Sequence, residues 1–164
     1  MIRAALALLV GLALAGCEAQ GLSGIAAGVG NGMKPARAPL ANPADATFAF
    51  LPFPGVPGDI SDDLLRRIWQ KAEDEGLTVI KRPGGRALFT VEGTLTAVTD
   101  DTNSLIFFVF DVKDVNGRRL HRISGQQGSE DNPGEPWASV TDRDLDLVAT
   151  RLAALLRAWL YSDV

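Results

Sequence analysis

Glu92, Asp111 and Arg122 fall into one row if the strands that carry them pair as their patterns demand. Two neighbouring carboxylates can divide acid and base roles, one held protonated and one ionised. The same spacing also describes a charged row on a solvated sheet face, with Arg122 offsetting the pair. Nothing else in the chain completes a substrate site, so no catalytic residue is expected. His121, the only histidine, could act as a base or a pH-sensitive contact. No nucleophile lies at a useful spacing from it, and a half-buried edge position is the plainer expectation. Cys17 is the only cysteine. One histidine and one cysteine cannot build a His/Cys zinc site within one chain, so neither metal nor cofactor is expected. The chain contains no GxxxxGK[ST], HExxH or GxSxG.

Cys17 has different chemistry available. It follows MIRAALALLVGLALAG, in which one cation, Arg3, precedes an apolar run from Ala4 to Ala15. That run is shorter than the roughly 20 residues a spanning helix needs. It has the layout of a secretory signal peptide: a basic start, a short apolar middle and small residues at the cut. Leu14-Ala15-Gly16-Cys17 resembles the lipobox of bacterial lipoproteins. The resemblance implies cleavage between Gly16 and Cys17, a diacylglyceryl group on the Cys17 sulfur and an acylated new N-terminus. Residues 1–16 are then leader, and the protein meets the membrane through lipidated Cys17. Glu18 stands where an aspartate retains enterobacterial lipoproteins in the inner membrane. Outer-membrane delivery, facing the periplasm, is therefore the expectation.

The elements that must position these residues begin after residue 45. Residues 17–45 are rich in Gly, Ala and Pro and have no sustained period. They read as a tether spanning roughly 30 Å as a random coil. Residues 46–164 are long enough for one domain with a real core. The chain holds 16 basic and 20 acidic residues, and losing Arg3 deepens the acidic excess. That balance excludes the basic footprint of a nucleic-acid partner. With no cysteine beyond Cys17, the domain must stand without disulfides.

TFAFLPFPG, from Thr47, reads as a short strand stopped by prolines. Ser61 is placed to cap a helix, with Ile60 and Leu65 as its staple. Leu64, Leu65, Ile68, Trp69 and Ala72 form the apolar stripe of that helix, and Gly76-Leu77 close it. LTVIKR then turns at Pro83-Gly84-Gly85 into ALFTVEGTLTAV. Asn116-Gly117 predicts a two-residue type I′ hairpin turn. That turn sets Asp114 against Arg119, Val112 against His121, Asp111 against Arg122 and Phe110 against Ile123. A four-residue loop at Asp100–Asn103 sets Leu95 against Phe108 and Gly93 against Phe110. Thr141 caps a final helix with Asp144 at its third position and Val140/Leu145 as staple. Leu145, Val148, Ala149, Leu152, Leu155, Leu156, Trp159 and Leu160 form its broad apolar face.

The expected fold is α+β: a mostly antiparallel five-stranded sheet with two helices on one face, in the order β-α-β-β-β-β-α. Val98, Leu105, Phe107 and Val109 then point away from the core. With Asp111, Arg122 and Glu92 they make the candidate interaction face, because an exposed apolar patch usually marks a partner.

Asp111–Gln126 (DVKDVNGRRLHRISGQ), Pro136–Val140 (PWASV) and the helix ending Ala158-Trp159-Leu160 resemble a group of uncharacterised alphaproteobacterial lipoproteins. Those carry a VWDVxDxxGxRxHRIxGxE strand, then DxWxxV, then a helix. Phe110 stands where their tryptophan is usual. The resemblance implies no known activity. More loosely, the element order is similar to the TolB amino-terminal domain, the lipoprotein activators of penicillin-binding proteins and the auxiliary lipoproteins of lipid-transporting ABC systems. These bind proteins and do not catalyse. The expectation is thus a non-catalytic periplasmic interaction module with an envelope protein partner. The alternatives are a small-molecule or lipid carrier, or an auxiliary lipoprotein of an envelope transport system. A carboxylate-based hydrolase ranks below them.

Overall fold

The computed structural model describes residues 42–99, 104–129 and 135–162, all within one compact unit, Met33–Val164. Gly16 and Cys17 lie outside the described residues, as does most of the expected tether. Among the described residues no helix is long and apolar enough to cross a membrane. A 3-10 turn at Pro43–Asp45, capped by the Asn42 side chain, leads into the sheet. The elements are β1 (Thr47–Phe50), α1 (Gly58–Asp74), β2 (Thr78–Val79), β3 (Phe89–Thr99), β4 (Ser104–Lys113), β5 (Arg119–Ser129) and α2 (Asp142–Leu160). This is the expected order.

The sheet is mixed, which corrects the expectation of a mostly antiparallel one. Its order is β2-β1-β3-β4-β5. β1 runs parallel to both neighbours, with Thr47 opposite Thr78 and Phe48 opposite Phe89. Only β3–β4 and β4–β5 are antiparallel. The cause lies in what each strand must bury. Phe48 and Phe50 are buried, so β1 belongs inside the sheet. The α1 crossover returns the chain in the same direction, which makes β2 parallel to it. β2 is two residues long and followed by Lys81 and Arg82, a sequence suited to an edge. The Pro83-Gly84-Gly85 segment is therefore not a hairpin turn. It belongs to the connection that takes the chain past β1 to β3.

Helix α1 also starts earlier than expected. Pro57 is its N-cap and makes no side-chain cap bond. Ser61 sits inside the first turns, buried, and its hydroxyl accepts a hydrogen bond from the Phe53 N–H at 3.2 Å. Ser61 thus holds the incoming loop against the helix. The C-terminus follows expectation: Gly76 has φ 78°, Gly76 N–H reaches the Glu73 carbonyl, and Leu77 N–H reaches that of Ala72. Those two bonds define a Schellman motif. Thr141 and Asp144 form the full capping box of α2. Arg67 joins the helices, lying 2.8 Å from Asp63 and 3.3 Å from Asp142, while Lys71 lies 3.0 Å from Asp146. Both helices cover one face of the sheet, and Phe48, Phe89, Phe108, Phe110, Leu152 and Leu156 fill the space between, each below 2 % exposed.

Candidate functional site

The opposite face of β3, β4 and β5 carries the candidate residues in three aligned rows. Val98 faces Leu105, Thr96 faces Phe107 and Thr94 faces Val109. On the far side of β4, Gly128, Gln126 and Ser124 face the same three residues. This block holds no formal charge. Phe107 is 42 % exposed and Val98 41 %. Leu105 and Val109 are half-buried. The sequence alternation located this face correctly because the side-chain period in a strand is two.

Glu92, Asp111 and Arg122 form the row below it, as expected. They do not form a carboxylate pair that shares a proton. Asp111 is gripped by Arg122 through two bonds of 2.6 and 2.7 Å, with Arg119 at 3.8 Å. Glu92 has its own cation, Lys113. The Arg122 hydrogen bonds hold the Asp111 carboxyl below its ordinary value, and the surrounding positive charge adds to this. Each carboxylate is neutralised separately, so the row is arranged as ion pairs.

The register that creates this row is reached differently from the prediction. Gly117 has φ 77°, and among the described residues none other than glycine has positive φ. A type I′ turn needs positive φ at both central residues. Asn116 does not supply it, so the turn is a three-residue loop, Val115-Asn116-Gly117. It is closed by Gly117 N–H to the Asp114 carbonyl and Asp114 N–H to the Arg118 carbonyl. Asp114 therefore opposes Arg118, and Arg119 opposes Lys113. An irregularity between Val112 and Lys113 then absorbs Leu120 as an extra residue. Leu120 turns into the core, 6 % exposed. The longer loop shifts the pairing by one residue and the bulge shifts it back. Without the second shift every residue beyond it on β5 would face the wrong side.

His121 lies at the core side of this end, half-buried, its ring stacked on Trp159 of α2 at 5.4 Å and 2°. Burial pushes its pKa below the usual histidine value. A group whose folded pKa is lowered stabilises the fold above its unfolded value and loses that contribution as pH falls through the folded one. For His121 the loss begins below about 6.5, and for Asp111 below about 4. Acid unfolding should therefore weaken the domain in two steps. His121→Gln is expected to remove the upper step and Asp111→Asn the lower. The Asp111 side chain is 19 % exposed but shielded by guanidinium groups and not by apolar atoms, so its step should be at most about 1 kcal/mol. Urea midpoints measured across that pH range check both, and a midpoint equally flat in wild type and both variants would contradict them.

Two surface clefts border the face, and sequence reasoning located neither. One, about 350 Å³, runs from Leu51, Pro52 and Pro54 to Glu92, Gly93 and Thr94. Its sequence signal is the proline pair that ends β1 and leaves Leu51 exposed. The other, about 550 Å³, lies between the Gly85–Ala87 loop and the hairpin tip, lined by Arg86, Thr90, Glu92, Lys113, Asp114 and Val115 among others. Among the described residues no group of three or more His, Cys, Asp or Glu is placed to hold a metal ion.

No family model matches the chain, and no curated protein matches it. Solved structures show a loose likeness. The PelC dodecamer from Paraburkholderia phytofirmans is 17 % identical with a TM-score of 0.49, covering 76 % of this chain and 92 % of that one. A Xanthomonas campestris protein of family DUF330 is 11 % identical with a TM-score of 0.49, covering 72 % and 87 %. Lipoprotein GNA1162 from Neisseria meningitidis is 13 % identical with a TM-score of 0.41, covering 73 % and 99 %. The neighbours of this chain thus include a lipoprotein and a member of an uncharacterised family, at a level from which no shared function follows.

Proposed function

We propose that this chain is a lipid-anchored envelope lipoprotein, held by Cys17 and facing the periplasm, whose bare sheet face binds a protein partner without catalysis. The observation that carries the reading is the uncharged block around Phe107, uncovered by any described element on a domain whose other sheet face is fully packed. Such a patch fits an interface core, with the Asp111–Arg122 and Glu92–Lys113 pairs as part of its polar rim. Separate neutralisation of the two carboxylates favours binding over acid–base chemistry. The carrier alternative needs room between sheet and helices, where large side chains now sit. The lipobox and Glu18 support delivery to the outer membrane.

A photoreactive residue at position 107, introduced in living cells, tests this. It should capture one specific envelope protein. Phe107→Asp should lower capture through a second probe at Val98 about thirtyfold, the loss of a hot spot worth ~2 kcal/mol. The fold should be intact, since Phe107 is exposed. Absence of any specific adduct from either position would sink the reading.

A further inference from the structure

The chain enters the domain beside the hairpin tip. β1, β3 and β5 all start at this end, and β4 finishes there. The first residue of β1 is bound directly to the loop that forms one wall of the larger cleft: Thr47 Oγ1 accepts from the Leu88 N–H at 2.9 Å. The described part of the chain thus begins, at Asn42, next to this end of the sheet.

The corner has its own chemistry. Arg86, Lys113, Arg118, Arg119 and Arg122 stand there against Glu92, Asp111, Asp114 and, just before β1, Asp45. Arg119 and Arg122 share one carboxylate. Arg86 has no ion-pair or hydrogen-bond partner among the described residues. The local balance is positive in a chain whose net charge is −4. On the helix side of the same end, charges cancel: Lys81 pairs with Glu73, Arg157 with Glu75, and Asp74 and Arg82 are one of each sign. The far end, where both helices begin, has the opposite sign. Asp59, Asp62, Asp63, Asp142, Asp144 and Asp146 outnumber Arg66, Arg67, Arg143 and Lys71, the partner of Asp146, there. At the tip of the basic corner stands Val115, 73 % exposed, well above the next large apolar side chain among the described residues, Tyr161 at 45 %. An apolar tip ringed by cations is the arrangement of a membrane-surface contact. Anionic headgroups draw the cations within a Debye length, and the apolar side chain enters the interface.

We propose that the corner formed by the Val115 hairpin tip and the Gly85–Ala87 loop docks on the anionic lipid surface of the membrane that carries the anchor. Charge complementarity, the exposed valine and the start of the described chain at this end all favour this occupant. Docking would stand the sheet upright, with the Phe107 face turned sideways to the periplasm and the acidic end pointing away. The inference rests on the lipid-anchored reading.

The test uses the mature acylated protein in vesicles. Acylation is checked first, by mass at Cys17 and by flotation with the vesicles. A Val115→Cys variant then carries an environment-sensitive fluorophore; the native cysteine is blocked by its thioether. The fluorophore should report an apolar setting on vesicles of phosphatidylcholine and phosphatidylglycerol, and water on pure phosphatidylcholine. High salt should reverse the difference. The same label at Val98 should stay in water on both. Arg86→Gln with Arg118→Gln should lower the docked-to-undocked ratio about 30-fold. Water at position 115 on anionic vesicles overturns the proposal, as does shielding that ignores lipid charge and salt. Shielding that arises only when envelope proteins are added overturns it too, in favour of a protein contact. If the protein fails to float, the anchor reading falls separately, and the position-115 fluorophore on residues 18–164 held to anionic vesicles by an N-terminal polyhistidine tag and a nickel-chelating lipid then decides the docking: shielding supports it and water overturns it.

Discussion

Phe110→Ala is expected to destabilise the domain by about 3–5 kcal/mol, and Gly93→Ala by about 1–3 kcal/mol, while the double variant loses less than the sum. Phe110 is fully buried. Its ring meets Phe53 edge-on at 5.9 Å and 76°, and Gly93 lies opposite it on β3. A β-carbon on Gly93 would lie 2.7 Å from Phe110 Cε1 and equally close to two Phe53 ring atoms. The absent side chain of Gly93 is thus the space two rings occupy. Removing the Phe110 ring opens a cavity and relieves one of the clashes at the same time. The alanine methyl then fills part of the hole, so a favourable coupling of about 1 kcal/mol is expected. Domains of this size hold only about 5–15 kcal/mol in total, so Phe110→Ala alone should shift the urea midpoint far. Strict additivity in the double-mutant cycle would show that position 93 is glycine for some other reason.

That cluster also shows where sequence reasoning stops. The Gly93–Phe110 pairing followed from the length of the Asp100–Asn103 loop, because alternation and one register suffice in a β-meander. Phe53 and Ser61 could not be placed the same way. Their contact depends on how the Pro52–Pro57 loop folds back, and the position of Ser61 before a helical stripe satisfies the ordinary cap signature just as well. The same contrast recurs across the fold. The α2 capping box and the Gly76 closure are local, and each was legible from a few residues. The placement of β1 between β2 and β3 is a competition among strands for the sheet interior. Buried Phe48 and Phe50 decide it, and no local pattern states the outcome. The hairpin is intermediate. The Asp111–Arg122 pairing was read correctly although the turn was not, because the three-residue loop and the Leu120 bulge shift the register in opposite directions. Within the candidate site, the apolar block was visible as alternation, whereas the two clefts arise from loops that meet only in the fold.

Cys17→Ser is expected to abolish lipid anchoring altogether, leaving the uncleaved apolar leader as the precursor's one hold on the membrane. The lipobox resemblance implies a thioether on this sulfur, and a serine hydroxyl is a far weaker nucleophile for that transfer. The variant should accumulate with residues 1–16 still attached, seen as the mass of the intact precursor. Moving residues 18–164 behind an ordinary secretory leader should instead release the domain into the soluble periplasmic fraction. The size of the effect follows from the acyl chains. Each buried methylene contributes about 0.8 kcal/mol, one chain binds only marginally, and several chains together hold firmly. The basic corner at Val115 cannot replace them. A handful of cations at about 1 kcal/mol each near an anionic surface becomes effective only when the anchor raises the local concentration into the millimolar range, as short linkers do. The released domain should therefore leave the vesicles, and a fluorophore at position 115 should report water, even on anionic lipid. A released domain that stayed bound at ordinary salt would make the corner the principal membrane contact and the lipid secondary. A native protein whose N-terminus carried a bare Cys17 thiol would remove the anchor reading itself.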